Sequence, residues 1–281
     1  MAASRTVLLT GAAGRIGVML RERLPALGWT LRLHDRTAVV PAAGQIAVTA
    51  GLEDSEALRT AMRGTDAVIH LAAHPGERSF PDILRNNIMG SYQVYEAARL
   101  EGVPRVIAGS SNHAVGFEPA PADIRAADTG DRIPVDIAHR PDTYYGLSKC
   151  FGEDLAQLYW DRLSIETVSL RIGACRPEPR SARELAIWLS PDDCARLVHA
   201  ALTAPRVGHT IVYGCSANTR GVLDLSSAEA IGYHPQDNSE TYAHQVLSTP
   251  DAHSDWPGTG PIGGRFATGD ADWPDSLRRR G

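Results

Sequence analysis

Two metal-binding patterns are missing from this sequence. Its four cysteines (Cys150, Cys175, Cys194, Cys215) stand far apart without a CxxC, and no HExxH occurs among its ten histidines. Neither a zinc cluster nor a zinc hydrolase is indicated, and no metal is expected. Dispersed thiols in a chain of 281 residues read as the reduced, partly buried cysteines of a cytoplasmic protein. No apolar run approaches the ~20 residues that span a bilayer. The first strand-like run begins at Thr6, which leaves no room for a secretory leader. A net charge of −5 without a long Lys/Arg run argues against a nucleic-acid surface. What remains is an ordinary globular composition, so the fold has to be read from periodicity.

That periodicity alternates. "TVLLTG" is a short strand-like run ending in glycine, and helical spacing follows in "GRIGVMLRERLPAL". "TLRLHD" predicts a second strand, and "SEALRTAMRG" a helix capped by Ser55 and stopped at Gly64. "DAVIHLAA" predicts a third strand, buried on both faces. One long amphipathic helix is expected over "ILRNNIMGSYQVYEAARLEG", ending at Gly102. A fourth strand, "RVIAGSS", leads into a polar loop from about Asn112 to Thr143. A helix over "YYGLSKCFGEDLAQLYWDR" and a strand over "ETVSLRIG" follow. This order predicts an α/β fold of the Rossmann type, a doubly wound parallel sheet covered by helices. Such sheets bind ligands at the carboxyl ends of their strands. After Gly173 the pattern loosens to one helix capped by Ser190, one strand in "HTIVYGC", and an irregular remainder. Residues 1–173 are expected to form a dinucleotide-binding core. Residues 174–281 are expected to complete the sheet and form a small C-terminal cap on the substrate side.

Between the first strand and helix, "LLTGAAGRIG" sets Gly11, Gly14 and Gly17 as GxxGxxG. Glycine permits the tight turn and the approach of backbone amides to a pyrophosphate, and the helix N-terminus favours its charge. Alone, the spacing equally describes a glycine-rich turn with no ligand. Asp35 ends the second strand about twenty residues later, where a carboxylate accepts both hydroxyls of an adenosine ribose and repels a 2′-phosphate. NAD is therefore the expected cofactor. Arg36, next in the chain, can pair with a phosphate and leaves NADP open.

In "DTYYGLSKC", Tyr145 stands four residues before Lys149, which on a helix places both side chains on one face. A tyrosine of reference pKa ~10 is a poor base at neutral pH. A neighbouring ammonium is expected to lower it, so that the phenolate takes a proton from a hydroxyl as hydride leaves the same carbon. Tyr144 points about a hundred degrees away and reads as a packing residue. Ser111, at the end of the fourth strand, can donate to the substrate oxygen. Ser110 faces the other way.

The ordered set "TGAAGRIG", Asp35, "HLAA", "NNIMGSYQVYEAAR", "SSNHAVG" and "YYGLSK" resembles the extended short-chain dehydrogenase/reductase family, over roughly residues 5–245. The resemblance implies Ser111, Tyr145 and Lys149 as catalytic residues, with Lys149 also holding the nicotinamide ribose. It implies cofactor contacts from Arg15 and Ile16 in the glycine turn and from Leu52, Leu71, Ala72, Ala73 and Cys175. Asn87 is implied to contact the cofactor and to support the fold or a proton relay. Where family members often carry an aspartate near the adenine, this chain has Gly51, so that contact is lost unless Glu53 or Asp54 replaces it.

Most extended members act on nucleotide-linked sugars through a larger C-terminal domain, and this chain is short for that. "SSNHAVGF", "RIGACRPEPRSARELAIWLSPDD" and "IGGRFATGD" resemble the uronate dehydrogenases, a branch of the family that oxidises the anomeric carbon of D-glucuronate or D-galacturonate with NAD to an aldarolactone. Carried onto this chain, Arg183 would grip the substrate carboxylate, a role that suits the guanidinium fork. Asn112 and His113 would contact the sugar, beside Ser111 and Tyr145. Arg176 and Arg180 read as solvated surface charges. Two positions depart from the branch: Pro75 and Ala174 stand where it has hydroxyl side chains, each loss worth ~0.5–1.5 kcal/mol of sugar binding. The expected protein is thus a homo-oligomeric oxidoreductase of carbohydrate metabolism whose partner is a small acidic sugar. The alternatives are a nucleotide-sugar epimerase or dehydratase, which would share the glycine turn, Tyr145 and Lys149, and a non-catalytic NAD-binding regulator, which would usually lose one of the last two.

Overall fold

The computed structural model describes residues 5–120, 132–253 and 260–269. Part of the expected polar loop and most of the tail after Pro250 lie outside these residues. Strand β1 (Arg5–Thr10) leads into helix α1 (Arg15–Arg23), β2 (Trp29–Asp35) and β3 (Ile46–Thr49). Helix α2 (Ser55–Met62), β4 (Ala67–His70), α3 (Phe80–Ile83) and α4 (Met89–Glu101) follow. Then come β5 (Arg105–Ser111), α5 (Tyr144–Leu163), β6 (Glu166–Ile172), the short β7 (Ala174–Cys175), α6 (Ala182–Ile187), β8 (Trp188–Leu189), α7 (Pro191–Thr203) and β9 (His209–Gly214).

Seven strands form one parallel sheet in the order β3-β2-β1-β4-β5-β6-β9. Strand direction along the sheet reverses its sequence order between β1 and β4, and that is the place where such sheets open a ligand crevice. Each face is apolar because each is covered. Leu9, Leu31 and Leu33 pack with Met19 and Leu20 of α1 and with Leu197 and Val198 of α7. On the other face Leu8, Val68 and Val106 pack with Leu58 of α2, Val94 and Tyr95 of α4, and Leu155 and Tyr159 of α5.

The expected α/β class and parallel sheet are what the chain adopts, with local differences, among them β7, α6 and β8 in a stretch read as irregular. Strand β3 is an unpredicted edge strand of four residues, with Ile46 58% exposed; so short and half-solvated a run carries little periodicity. Asp54, not Ser55, caps α2, accepting from the Ala57 amide at 3.0 Å. The expected long helix is present and uninterrupted, but α3 runs into α4 through a π-helical turn at Leu84–Ile88. Gly102 does stop α4, in the left-handed conformation at φ 69°.

Glu153 ties the two faces of the site region together. Its carboxylate, 1% exposed, accepts from Ser110 Oγ of β5 at 2.5 Å, from Arg171 of β6 at 2.8–3.3 Å, and from His139 Nε2 at 2.8 Å. Burial alone would push this carboxyl up, but the His139 and Arg171 hydrogen bonds prevail and hold it below its ordinary value. Arg171, equally buried, pairs with no other carboxylate among the described residues. Replacing Glu153 by Ala should therefore strand a buried guanidinium and cost about 3–5 kcal/mol, read as a fall in the urea midpoint.

Candidate functional site

The crevice holds a cavity of about 1130 Å³ running across the carboxyl ends of β1, β2, β4, β5 and β6. Every residue expected to bind cofactor or substrate or to take part in the chemistry lines it, except Asn87. At one end lies the glycine turn. Gly11 has φ +74°, and a Cβ there would stand 2.8 Å from the Ala72 amide nitrogen. Gly17 packs so closely on the turn that a Cβ would run into the Gly11 carbonyl. The three glycines thus let β1, the turn and α1 close up, leaving Arg15 and Ile16 on the cavity wall. Asp35 accepts from the Ala13 amide at 2.9 Å and from the Thr37 amide at 2.8 Å. Its carboxylate is locked across the turn, with Arg36 exposed beside it. Leu52, Leu71, Ala72, Ala73 and Cys175 line the middle of the cavity, and Glu53 joins them near Gly51. A turn only glycine can make, with an oriented acid at the next strand end, fits a dinucleotide.

At the other end, α5 brings Tyr145 and Lys149 beneath β5. Lys149, the chain's only lysine, donates from Nζ to the Gly109 carbonyl at 2.7 Å and lies 5.4 Å from the Tyr145 ring centroid. Burial lowers its ammonium to about 8. Burial also raises the Tyr145 phenol, opposed by its hydrogen bond with Ser111. The expected lowering of Tyr145 by Lys149 is thus not found in the protein alone: burial raises the phenol, the groups that oppose the rise are Ser111 and Arg15, and the Lys149 ammonium is turned to the Gly109 carbonyl. Ser111 is buried at the end of β5 and also accepts from the His113 amide at 3.2 Å.

Beyond Ser111, the Asn112 amide donates to the Ile172 carbonyl at 3.2 Å and accepts from Arg183 Nη2 at 2.9 Å. Arg183 Nε donates to the Ile262 carbonyl at 2.8 Å, so a segment near the C-terminus braces the guanidinium. His113 is held from behind by Asp142, with Nδ1 and Oδ2 2.6 Å apart, and its ring meets those of Tyr145 and Phe266 edge-on. Asp142, fully buried, fits only because Gly116 and Gly263 give its carboxylate room. Sequence reasoning missed Asp142; its signal, an acid three residues before the tyrosine, means nothing until the fold brings residue 113 to it.

Two other expectations change. Arg176 is not a solvated charge: it is largely buried and pairs with Glu184 at 3.2 Å on the cavity wall. Asn87 lies behind the cavity, 2% exposed, where it accepts from the His74 amide at 2.8 Å and donates to the His74 carbonyl and to Ser148 Oγ. It ties the loop after β4 to the helix of Tyr145. His70 and His74, four residues apart, turn to different neighbours, and the described residues include no cluster of metal-ligating side chains.

Comparison with known proteins agrees with this geometry. A family model described as the NAD dependent epimerase/dehydratase family matches residues 7–175. A uronate dehydrogenase of Pseudomonas putida is 46% identical over 263 residues, 93% of this chain and 95% of that protein. The crystal structure of a glucuronic acid dehydrogenase from Chromohalobacter salexigens superposes with a TM-score of 0.87 at 40% identity, covering 97% of this chain and 99% of that one. A mutant of the uronate dehydrogenase from Agrobacterium tumefaciens, solved in complex with NAD, gives a TM-score of 0.84 at 38% identity, with 94% and 97% covered. Substituting Gly17 by Ala should force the turn and α1 apart. NAD affinity, followed by quenching of protein fluorescence, is expected to fall by at least about tenfold.

Proposed function

The chain belongs to the NAD-dependent epimerase/dehydratase family, and from that premise we propose that it oxidises the anomeric carbon of a free uronate, D-glucuronate or D-galacturonate in type, to an aldarolactone. NAD, when bound, accepts the C1 hydride as NADH. The observation that carries the reading is the placement of Arg183 in the same cavity as Ser111, Tyr145 and Lys149. A fixed cation faces a hydroxyl-activating pair, which suits a substrate with a carboxylate at one end and a C1 hydroxyl at the other.

In this reading residues 1–173 hold the cofactor and residues 174–281 supply the sugar side. The glycine turn of Gly11, Gly14 and Gly17, with Arg15 and Ile16, holds the pyrophosphate. Asp35 takes the adenosine ribose, with Arg36 and Leu52 beside it, while Leu71, Ala72, Ala73 and Cys175 wall the cofactor. Ser111 donates to the C1 oxygen, and Tyr145 takes the C1 hydroxyl proton while the hydride leaves. Lys149 lends positive charge to the phenolate and holds the nicotinamide ribose. Asn112 and His113 receive sugar hydroxyls, with Asp142 fixing the His113 ring, and Arg183 grips the carboxylate. C1 thereby loses its one hydrogen as hydride, its hydroxyl oxygen loses a proton, and the C1–O bond becomes the lactone carbonyl. A nucleotide-sugar epimerase would use the same tyrosine and lysine, but it would make no net NADH. An NAD-sensing regulator would have no need of an intact Ser111, Tyr145 and Lys149 set.

None of the described helices is long and apolar enough to cross a membrane, and all four cysteines are free and buried. Both facts suit a cytoplasmic enzyme. Phe80, Leu84, Met89, Tyr92 and Leu147 are each 40–44% exposed on α3, α4, α5 and the turn between α3 and α4. This apolar surface supports a homo-oligomer, and sedimentation equilibrium should return a multiple of 30.2 kDa; a single 30.2 kDa species would refute it.

Purified protein with NAD should form NADH rapidly on glucuronate and galacturonate and slowly on glucose and galactose. Absence of NADH with every sugar, from protein that binds NAD, would overturn the uronate assignment. Arg183→Lys keeps the charge and loses the fork. It should raise KM for the uronate about 10–100-fold while leaving KM for NAD unchanged, as read from initial rates.

A further inference from the structure

The catalytic helix begins at an unusual junction. Thr143 caps it, accepting from the Gly146 amide at 2.9 Å. The two amides that precede Gly146 do not go to water. Both point at one carboxylate from a distant part of the chain: Glu77 Oε2 accepts from the Tyr145 amide at 2.9 Å, and Oε1 accepts from the Tyr144 amide at 3.3 Å. Glu77 is 8% exposed and belongs to the loop after β4, whose His74, Pro75 and Gly76 line the cavity. The same loop is fastened to the helix a second time, through Asn87 to Ser148, whose hydroxyl donates to the Tyr145 carbonyl at 2.7 Å. Both backbone polar groups of Tyr145 are thereby engaged around the loop that walls the substrate end.

We propose that Glu77 is a positioning residue for Tyr145, its carboxylate clamping the amides of Tyr144 and Tyr145 and so fixing the phenol relative to the loop His74–Gly76. Glu77 touches neither substrate nor cofactor in this arrangement. A carboxylate bonded to backbone N–H groups makes bonds about twice as strong as neutral ones, and its charge suits the positive end of α5. Burial raises the Glu77 carboxyl, the two amide bonds oppose that rise, Asp142 adds to it and His113 subtracts. The other charged or titratable neighbours are Arg78, whose guanidinium turns back to the Glu77 carbonyl at 2.9 Å, and the phenols of Tyr144 and Tyr145. The sign follows directly. Glu77 protonates, as pH falls, above the ~4.3 of an ordinary glutamate, and the clamp then weakens to neutral strength. Turnover should fall on the acid side for a reason separate from the chemistry at Tyr145.

The test compares wild type with Glu77→Gln and Glu77→Asp, each verified as folded by its thermal midpoint. Glu77→Gln keeps the shape and loses the charge. Its kcat on uronate should drop about tenfold, since misplacement by a fraction of an ångström at a reacting group costs that much. Its KM for NAD should stay within about twofold and the acid limb of its kcat–pH profile should flatten. Glu77→Asp, charged but shorter, should lower kcat while keeping the acid limb; it serves as the test should the Gln variant not fold. The kinetic readout rests on the uronate dehydrogenase reading, and a second readout does not. Amide hydrogen exchange in wild type, followed from neutral pH downward, should show Tyr144 and Tyr145 losing protection on the acid side relative to Leu147, whose amide bonds to the Thr143 carbonyl instead. Glu77→Gln should show low protection throughout. Superimposable kcat–pH profiles, or equal protection of the two amides in wild type and variant across the pH range, would overturn the proposal.

Discussion

A single buried carboxylate sets the geometry of the site. Glu153 lies on the catalytic helix two turns beyond Tyr145 and one beyond Lys149. Through Ser110 it grips β5, whose end carries Ser111, and through Arg171 it grips β6, whose end opens toward the sugar side. Any slip of α5 along the sheet would break a charge pair that has no water to fall back on. Side-chain distances at Tyr145, Lys149 and Ser111 are therefore fixed from below, by an interaction that never reaches the cavity.

Much of this arrangement is legible in the sequence, for reasons of period and proximity. The glycine turn, Asp35 and the pair Tyr145 and Lys149 are local patterns, each within one strand–turn–helix unit or one turn of helix. The parallel sheet follows from the alternation of buried strands and amphipathic helices. What stays hidden is whatever depends on distant partners. Strand β3 carries no buried face of its own, and Asp54 competes with an equally good cap next door. Arg176 looks like a surface charge until Glu184 is folded back beside it. Asp142 and Glu77 are ordinary acids in polar stretches, and only tertiary structure aims one at His113 and the other at the start of α5. The lowering of Tyr145 by Lys149, expected from their spacing, is not found in the protein alone, where burial raises the phenol and the ammonium is turned to the Gly109 carbonyl.

The substrate end is built by parts of the chain that meet late. Residues 260–269 pass back over the site: Ile262 donates its amide to the Glu118 carbonyl at 2.8 Å, Gly263 to the Gly116 carbonyl at 2.8 Å, and the Ile262 carbonyl receives Arg183. Arg183 is thus aimed by Asn112 from one side and by this returning segment from the other. Pro75 and Ala174 line the same cavity and have no side-chain donors, so the polar side chains at this end are those of Ser111, Asn112, His113 and Arg183 together with Arg176 and Arg180.

The charge composition of the surface has a practical side. Every cation among the Lys and Arg side chains of this chain is an arginine, apart from one lysine on the cavity wall beside Tyr145, its amine lowered to about 8. Amine-directed reagents such as acylating esters or formaldehyde with a hydride donor find no competing side chain on the exterior. Besides the α-amine, the one amine the sequence offers them is Lys149, on the wall of the cavity. Covalent labelling of the protein is thereby a direct gauge of whether that cavity is open or filled, and attachment through surface amines, the ordinary way of fixing an enzyme to a support, has almost nothing here to hold.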